Sequence, residues 1–131
     1  MIIGDRLRAL REEKKFSQGD VEKRMRTKAQ REQARAYNTK LRLEVFSHYC
    51  GGAPHCQCPG CHTTFIEFLQ LDHMNGDGAS HRKENNLGTG AARLWRWVRK
   101  MGYPEGFQVL CRNCNGAKFT RAKCPLHGQP H

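Results

Sequence analysis

The sequence predicts a small α+β domain preceded by a basic helical extension at the N-terminus. Three observations predict this fold: a change of composition near residue 45, two pairs of closely spaced cysteines, and short apolar segments with strand-like and helix-like patterns. The predicted extension covers residues 1–45, and the predicted domain covers residues 46–131.

The extension is rich in charge and has the spacing of a helix. Residues 1–45 hold 13 Lys and Arg, 7 Asp and Glu, and neither cysteine nor proline. Residues 1–23 are similar to the opening helices of a repressor-type helix-turn-helix, but no turn and recognition helix follow them. Eight basic side chains between residues 23 and 42, among them Arg31 and Arg35, favour an arm that follows nucleic-acid phosphates. The alternative is a solvated helix that only packs on the domain.

Charge and cysteine content indicate the class of partner and the location. The net charge of +11 predicts a polyanionic partner, most economically nucleic acid. No apolar run approaches the roughly 20 residues that cross a membrane, and the first residues carry no secretory h-region. These features predict a cytoplasmic protein without a membrane partner. Thiols are reduced in that compartment, so seven cysteines favour metal binding over disulfides.

Short apolar segments of the second part predict its elements. Residues 63–71 are rich in β-branched and aromatic side chains, which predicts a strand or hairpin, and Phe107–Cys111 predicts another strand. Between them, "AARLWRWVRKMG" predicts a helix that Gly102 ends. Its apolar face would contain Leu94, Trp97 or Val98, and Met101.

Two Cys-x-x-Cys pairs predict a structural zinc ion. Two residues between thiolates let one tight turn direct both sulfurs at a tetrahedral metal, and this assigns Cys58, Cys61, Cys111 and Cys114 as its ligands. Hydrophobic residues make up 37% of the chain, below the roughly 45–50% of ordinary globular proteins. A bound metal would supply folding energy that a small core lacks. Cys50, Cys56 and Cys124 remain, either as ordinary thiols or as part of a second site with His127.

The order of these motifs resembles one enzyme family. "CPGCHTTFIEFLQLDHMNGDG" followed by "GYPEGFQVLCRNCNGAK" resembles HNH endonucleases, which have the ββα-metal fold, in their zinc-containing phage-like form. The resemblance covers about residues 56–124 and implies a metal-dependent DNA endonuclease that leaves 5′-phosphate ends. It implies that Asp72 and Asn115 bind one catalytic Mg²⁺ or Mn²⁺ and that His73 is the general base.

The chain departs from the family at one position. Many members carry an asparagine that braces the base histidine, but here Gly106 occupies that place. Asn86, Asn75 and Gln108 are the candidates to replace it. Lys118, one helical turn beyond Asn115, and the basic pair His81 and Arg82 are candidates for contacts with phosphate.

Two further questions stay open at this level. The DNA is double-stranded or branched, since phage junction resolvases share the motif order. A non-catalytic zinc-ribbon module that binds DNA is the alternative function. The oligomeric state is not determined by the sequence.

Overall fold

The computed structural model describes residues 26–118, and these residues fall into two units, one ending at Tyr37 and one beginning at Asn38. The predicted helices before residue 26, Cys124 and His127 lie outside the described residues. The division falls earlier than residue 45 because Leu41 and Val45 are buried in the core of the second unit. That unit is a small α+β fold, as predicted.

The first described helix, α1, spans Lys28–Cys50. It begins with a capping box: the Gln30 N–H donates to Thr27 Oγ1 (3.1 Å), and the Thr27 N–H donates to Gln30 Oε1 (2.9 Å). It ends where Gly51 takes a left-handed φ of 69° and the Gly52 N–H donates to the Ser47 carbonyl. This Schellman arrangement satisfies carbonyls that the helix leaves open.

Two short strands form an antiparallel hairpin at the centre of the second unit. Strand β1, Leu69–His73, pairs with β2, Phe107–Cys111, in a register that places Asp72 opposite Gln108. The prediction for β2 is confirmed. The predicted strand of residues 63–71 is only partly formed, because a 3-10 turn at Ile66–Phe68 precedes β1.

Two helices lie between the strands in sequence: α2, Gly78–Glu84, and α3, Ala91–Lys100. Leu94 and Val98 of α3 are buried as predicted, whereas Met101 is 52% exposed. Met101 lies outside the apolar face because α3 ends at Lys100 and Gly102 reverses the chain with a φ of 75°. Gly102 therefore ends the helix as predicted.

A final helix, α4, spans Arg112–Lys118 and follows β2 without a loop. The shared core lies between α1, the hairpin and α3, and Phe46, Leu69, Leu94 and Leu110 are among its largest fully buried side chains. Five buried cysteines continue this core toward α4. No helix within residues 26–118 is both long and apolar enough to cross a membrane.

Candidate functional site

Four buried cysteines form a cluster at one end of the hairpin. The Sγ atoms of Cys56, Cys61, Cys111 and Cys114 all lie within 4.8 Å of one another. Tetrahedral coordination with Zn–S bonds of about 2.3 Å places sulfurs about 3.8 Å apart. The Cys61 and Cys111 sulfurs are 3.9 Å apart, so the cluster can hold a structural metal such as zinc.

Hydrogen bonds and burial change the pKa values of these thiols. The Cys111 N–H donates to the Cys56 sulfur (3.2 Å), and the Cys114 N–H donates to the Cys111 sulfur (3.4 Å). Burial raises the pKa of Cys56 to about 12 and also raises the pKa of Cys114. Burial acts in the same direction on Cys61, but hydrogen bonds with Thr63, Cys56 and Cys114 together outweigh it and lower its pKa to about 7. A divalent cation would stabilise the thiolates that burial disfavours.

The cluster differs from the predicted ligand set at one position. Cys58 is buried but is not one of the four clustered cysteines, and Cys56 is present in its place. The Cys61 N–H donates a hydrogen bond to the Cys58 carbonyl (2.9 Å), which forms a turn. The Cys56 sulfur faces β2, where it accepts a hydrogen bond from the Cys111 N–H. Cys50 is outside the cluster, and its thiol donates to the His55 carbonyl.

Asp72 lies on the face of the hairpin that meets α4. Its side chain is 8% exposed, and its Oδ2 accepts hydrogen bonds from Lys118 Nζ (2.6 Å) and Gln108 Nε2 (2.9 Å). Gln108 is directly opposite Asp72 across the ladder, so both side chains share this face. Both donors engage Oδ2, and neither uses Oδ1, which retains lone pairs for a cation.

Lys118, which was a candidate for a contact with phosphate, makes hydrogen bonds to three acceptors within the protein. Its ammonium donates to Asp72 and also to the backbone carbonyls of His73 (2.7 Å) and Met74 (3.0 Å). An ammonium group has three hydrogens, and these three acceptors use all of them. Lys118 therefore links α4 to the end of β1 instead of facing a ligand.

Asn115 projects from α4 toward the same face. Its Nδ2 donates to Gln70 Oε1 (2.9 Å), while its Oδ1 is buried and has no hydrogen-bond partner among the described residues. A buried oxygen without a partner in the protein is available to coordinate a ligand. A hard cation such as Mg²⁺ or Mn²⁺ accepts amide and carboxylate oxygens, and the donor set of Asn115 and Asp72 fits such an ion.

His73 lies on the opposite face of the hairpin, as expected for neighbours on a strand. Its ring packs against Phe107 with centroids 4.8 Å apart, and its Nε2 is 3.1 Å from Nδ1 of His81. Burial, to which the neighbouring His81 adds, lowers the pKa of His73. The neutral imidazole is therefore the favoured form at neutral pH, as a proton acceptor requires.

The other ring nitrogen of His73 lies against Gly78 at the start of α2. A Cβ added to Gly78 would be 3.0 Å from His73 Nδ1. The backbone approaches the imidazole this closely only because residue 78 has no side chain.

We expect Gly78→Ala to destabilise the protein by about 1–3 kcal/mol, because the methyl group forces the imidazole or the start of α2 to move. Gly116→Ala is the matched control, since a Cβ there meets nothing within 4 Å. Because residue 116 lies inside α4, replacing its glycine by alanine should raise the free energy of unfolding by up to about 1 kcal/mol. Urea unfolding of both variants measures the difference, and equal stability would mean that the contact with His73 is not tight.

The predicted replacements for the missing asparagine have other roles in the structure. Gln108 binds Asp72, as described above, and Asn75 is exposed. Asn86 is exposed and takes a left-handed φ of 54° in the turn after α2, where its N–H donates to the Lys83 carbonyl. Gly106 contributes only its carbonyl, which accepts the Met74 N–H (2.9 Å).

The residues predicted to bind nucleic acid are in different environments. Arg31 and Arg35 are exposed on α1. Arg82 donates to the carbonyls of Gly88 (3.0 Å) and Gly90 (3.4 Å), which orders the loop before α3. His81 is half-buried and faces His73.

A basic cavity lies beside Asn115. It measures about 410 Å³, and its lining includes Arg42, Arg82 and Arg112 together with Asn115. Arg42 donates to the Leu69 carbonyl (2.8 Å), so its guanidinium is held in a fixed position. Three guanidinium groups around one cavity create a site that suits phosphate or carboxylate oxygens. The sequence gives no periodic signal for this group, because its members come from three separate helices.

The chain matches no protein-family model, no curated protein and no solved structure. Evidence for its function therefore comes from the geometry of these residues and from the resemblance of the motifs.

Proposed function

We propose that the protein is a metal-dependent DNA endonuclease of the HNH type, which hydrolyses phosphodiester bonds and leaves 5′-phosphate ends. The observation that carries this proposal is the arrangement at the end of β1. Asp72 and the unpartnered Oδ1 of Asn115 belong to the face that meets α4, while the adjacent His73 projects from the other face.

Asp72 and Asn115 would hold one Mg²⁺ or Mn²⁺ through carboxylate and amide oxygens. An ion held there would supply Lewis-acid stabilisation of the charge that develops on the phosphate and on the departing 3′ oxygen. Gln108 and Lys118 fix the orientation of the Asp72 carboxylate through their contacts with Oδ2. Hydrogen bonds of this kind hold a carboxylate in the orientation in which it can bind a metal.

His73 would take a proton from the attacking water. Its Nε2 is engaged with His81, which leaves Nδ1 as the nitrogen for that water. The burial that lowers its pKa keeps the imidazole neutral near pH 7 and able to accept a proton.

Positive charge supports DNA as the substrate. The net charge of +11 attracts a polyanion, and the arginine-lined cavity beside Asn115 offers donors for phosphate oxygens near the proposed metal. Arg31 and Arg35 are exposed on α1 and are further candidates for contacts with DNA phosphates.

Nicking of a supercoiled plasmid with Mg²⁺ or Mn²⁺ tests the proposal. We expect wild-type protein to cleave, and His73→Ala to lose about 10²–10⁴-fold in rate, the usual contribution of a general base. Asp72→Asn should also lose cleavage, and added metal should restore part of it only at high concentration. His62→Ala, which removes an exposed histidine, is the matched control and should cleave normally.

Equal cleavage by wild type, His73→Ala and Asp72→Asn would point to a contaminating nuclease and contradict the proposal. DNA binding by all three without cleavage at any metal concentration would favour the non-catalytic zinc-ribbon module instead.

A further inference from the structure

We infer that His81 is a positioning residue for His73, in the role that an asparagine fills in many HNH nucleases. The observation is the 3.1 Å contact between Nε2 of His73 and Nδ1 of His81. His81 has this role only if the proposed hydrolysis is correct, but its hydrogen bond to His73 can be tested separately.

The contact determines which nitrogen of each ring carries a proton. Two neutral imidazoles hydrogen-bond only when one nitrogen of the pair is protonated and the other is not. If His73 donates from Nε2, its Nδ1 keeps a lone pair and can act as a base. His81 then accepts at Nδ1 and carries its own proton on Nε2.

The surroundings of His81 favour this arrangement. Its Nε2 is buried without a hydrogen-bond partner among the described residues, and its ring meets Trp97 edge-to-face, with centroids 4.4 Å apart and an interplanar angle of 83°. We assign the proton of His81 to Nε2, because an N–H group beside an aromatic ring can gain a weak interaction that a lone pair cannot. The proton shared between the two rings is then carried by His73.

His81 is held firmly enough to orient another ring. Its N–H donates to the Asp77 carbonyl (2.9 Å), and its own carbonyl accepts from the Asn85 side chain (2.9 Å). Trp97 and Phe107 pack against its imidazole, with centroids 4.4 and 5.7 Å away. Because His81 is held in place, its contact restricts rotation of the His73 ring. The base, His73, then loses little entropy on reaching the geometry of the reaction.

None of the residues predicted to replace the missing asparagine has a hydrogen bond to the His73 ring in the part of the chain that the structure describes. Gln108 binds Asp72 on the opposite face, and Gly106 has no side chain that could reach the imidazole. Asn75 and Asn86 are both exposed. Among the described residues, the hydrogen bond that His73 makes to His81 is thus the polar contact that fixes the His73 ring.

Two substitutions separate the hydrogen bond from packing. His81→Asn places an amide near the position of Nδ1 and keeps an acceptor for His73. His81→Phe keeps an aromatic ring against Trp97 but removes the acceptor. We expect His81→Phe to lower kcat by about 100-fold, the effect of a small misplacement of a reacting group. KM should stay unchanged, and His81→Asn should retain most of the rate.

Imidazole ¹⁵N NMR gives a readout that does not need activity. Wild type and His81→Asn should show His73 with its proton on Nε2, and His81→Phe should show a mixture of tautomers. Wild-type kcat in His81→Phe, equal losses in both variants, or an unchanged His73 tautomer in His81→Phe would overturn the role of His81. If wild type and His73→Ala both fail to cleave while the NMR result holds, the proposed function fails and the histidine contact stands.

Discussion

Removal of the metal from the cysteine cluster is expected to unfold the second unit. Structural zinc contributes roughly 10–16 kcal/mol in zinc-finger peptides, as much as or more than the roughly 5–15 kcal/mol stability of whole domains. The four clustered cysteines come from the segment before β1, the end of β2 and α4, so an ion bound by them would tie these three segments together. Burial also disfavours the thiolates in the absence of a cation.

Circular dichroism during titration with a zinc chelator measures this effect. Helical signal should be lost in proportion to the zinc released, at about one zinc per chain. Cys114→Ser should be unfolded without chelator. Cys50→Ser is the matched control, because its sulfur lies outside the cluster, and it should unfold like wild type. A chelated protein that keeps its thermal transition would contradict the zinc assignment.

The same experiment decides the fourth ligand. The arrangement of sulfurs predicts that Cys56→Ser behaves like Cys114→Ser and that Cys58→Ser is milder. The opposite order would assign the ligand to Cys58, as the Cys-x-x-Cys spacing predicts.

Lys118→Met is expected to destabilise the protein by about 3–5 kcal/mol when no divalent cation is added, because it leaves a buried carboxylate unpaired. The side chains of Lys118 and Asp72 are only 17% and 8% exposed, so water screens the remaining charge poorly. The substitution also leaves the carbonyls of His73 and Met74 without their donor.

Urea unfolding of the zinc-loaded protein measures the cost. Lys83→Met, on the exposed face of α2, is the matched control and should change stability by less than about 0.5 kcal/mol. The double variant Lys118→Met with Asp72→Asn should be more stable than Lys118→Met alone, since it contains no unpaired charge. A Lys118→Met variant as stable as the control would show that the ion pair contributes nothing.

Local patterns predicted much of the second unit. The strand Phe107–Cys111, the helix around Leu94 and Val98 and the end at Gly102 all depend on residues close in sequence. Met101 is exposed, against the prediction, because a helical repeat does not show where the helix ends. The capping box of Thr27 and Gln30 also follows a short local motif.

The parts of the site that were not predicted depend on distant contacts. Lys118 reaches Asp72 across 46 positions of the chain, and no repeat or spacing encodes that contact. His81 is only eight residues from His73, but their meeting requires the tight turn through Gly76 and the close approach at Gly78. The presence of Cys56 in the cluster in place of Cys58 also depends on a distant contact. The Cys56 sulfur is oriented by the hydrogen bond that it accepts from the Cys111 N–H of β2.

The hairpin register gives the cysteine cluster a second consequence. Cys111 is opposite Leu69, three positions from the pairing of Asp72 with Gln108. A slip of one residue in a two-stranded ladder would exchange the faces of every side chain on β1. The carboxylate would then lie among Phe107 and Trp97, and the imidazole would lie beside Lys118. A metal bound at the end of β2 would therefore hold the strand register as well as stabilise the fold. That register keeps Asp72 on the face that meets α4 and His73 on the opposite face.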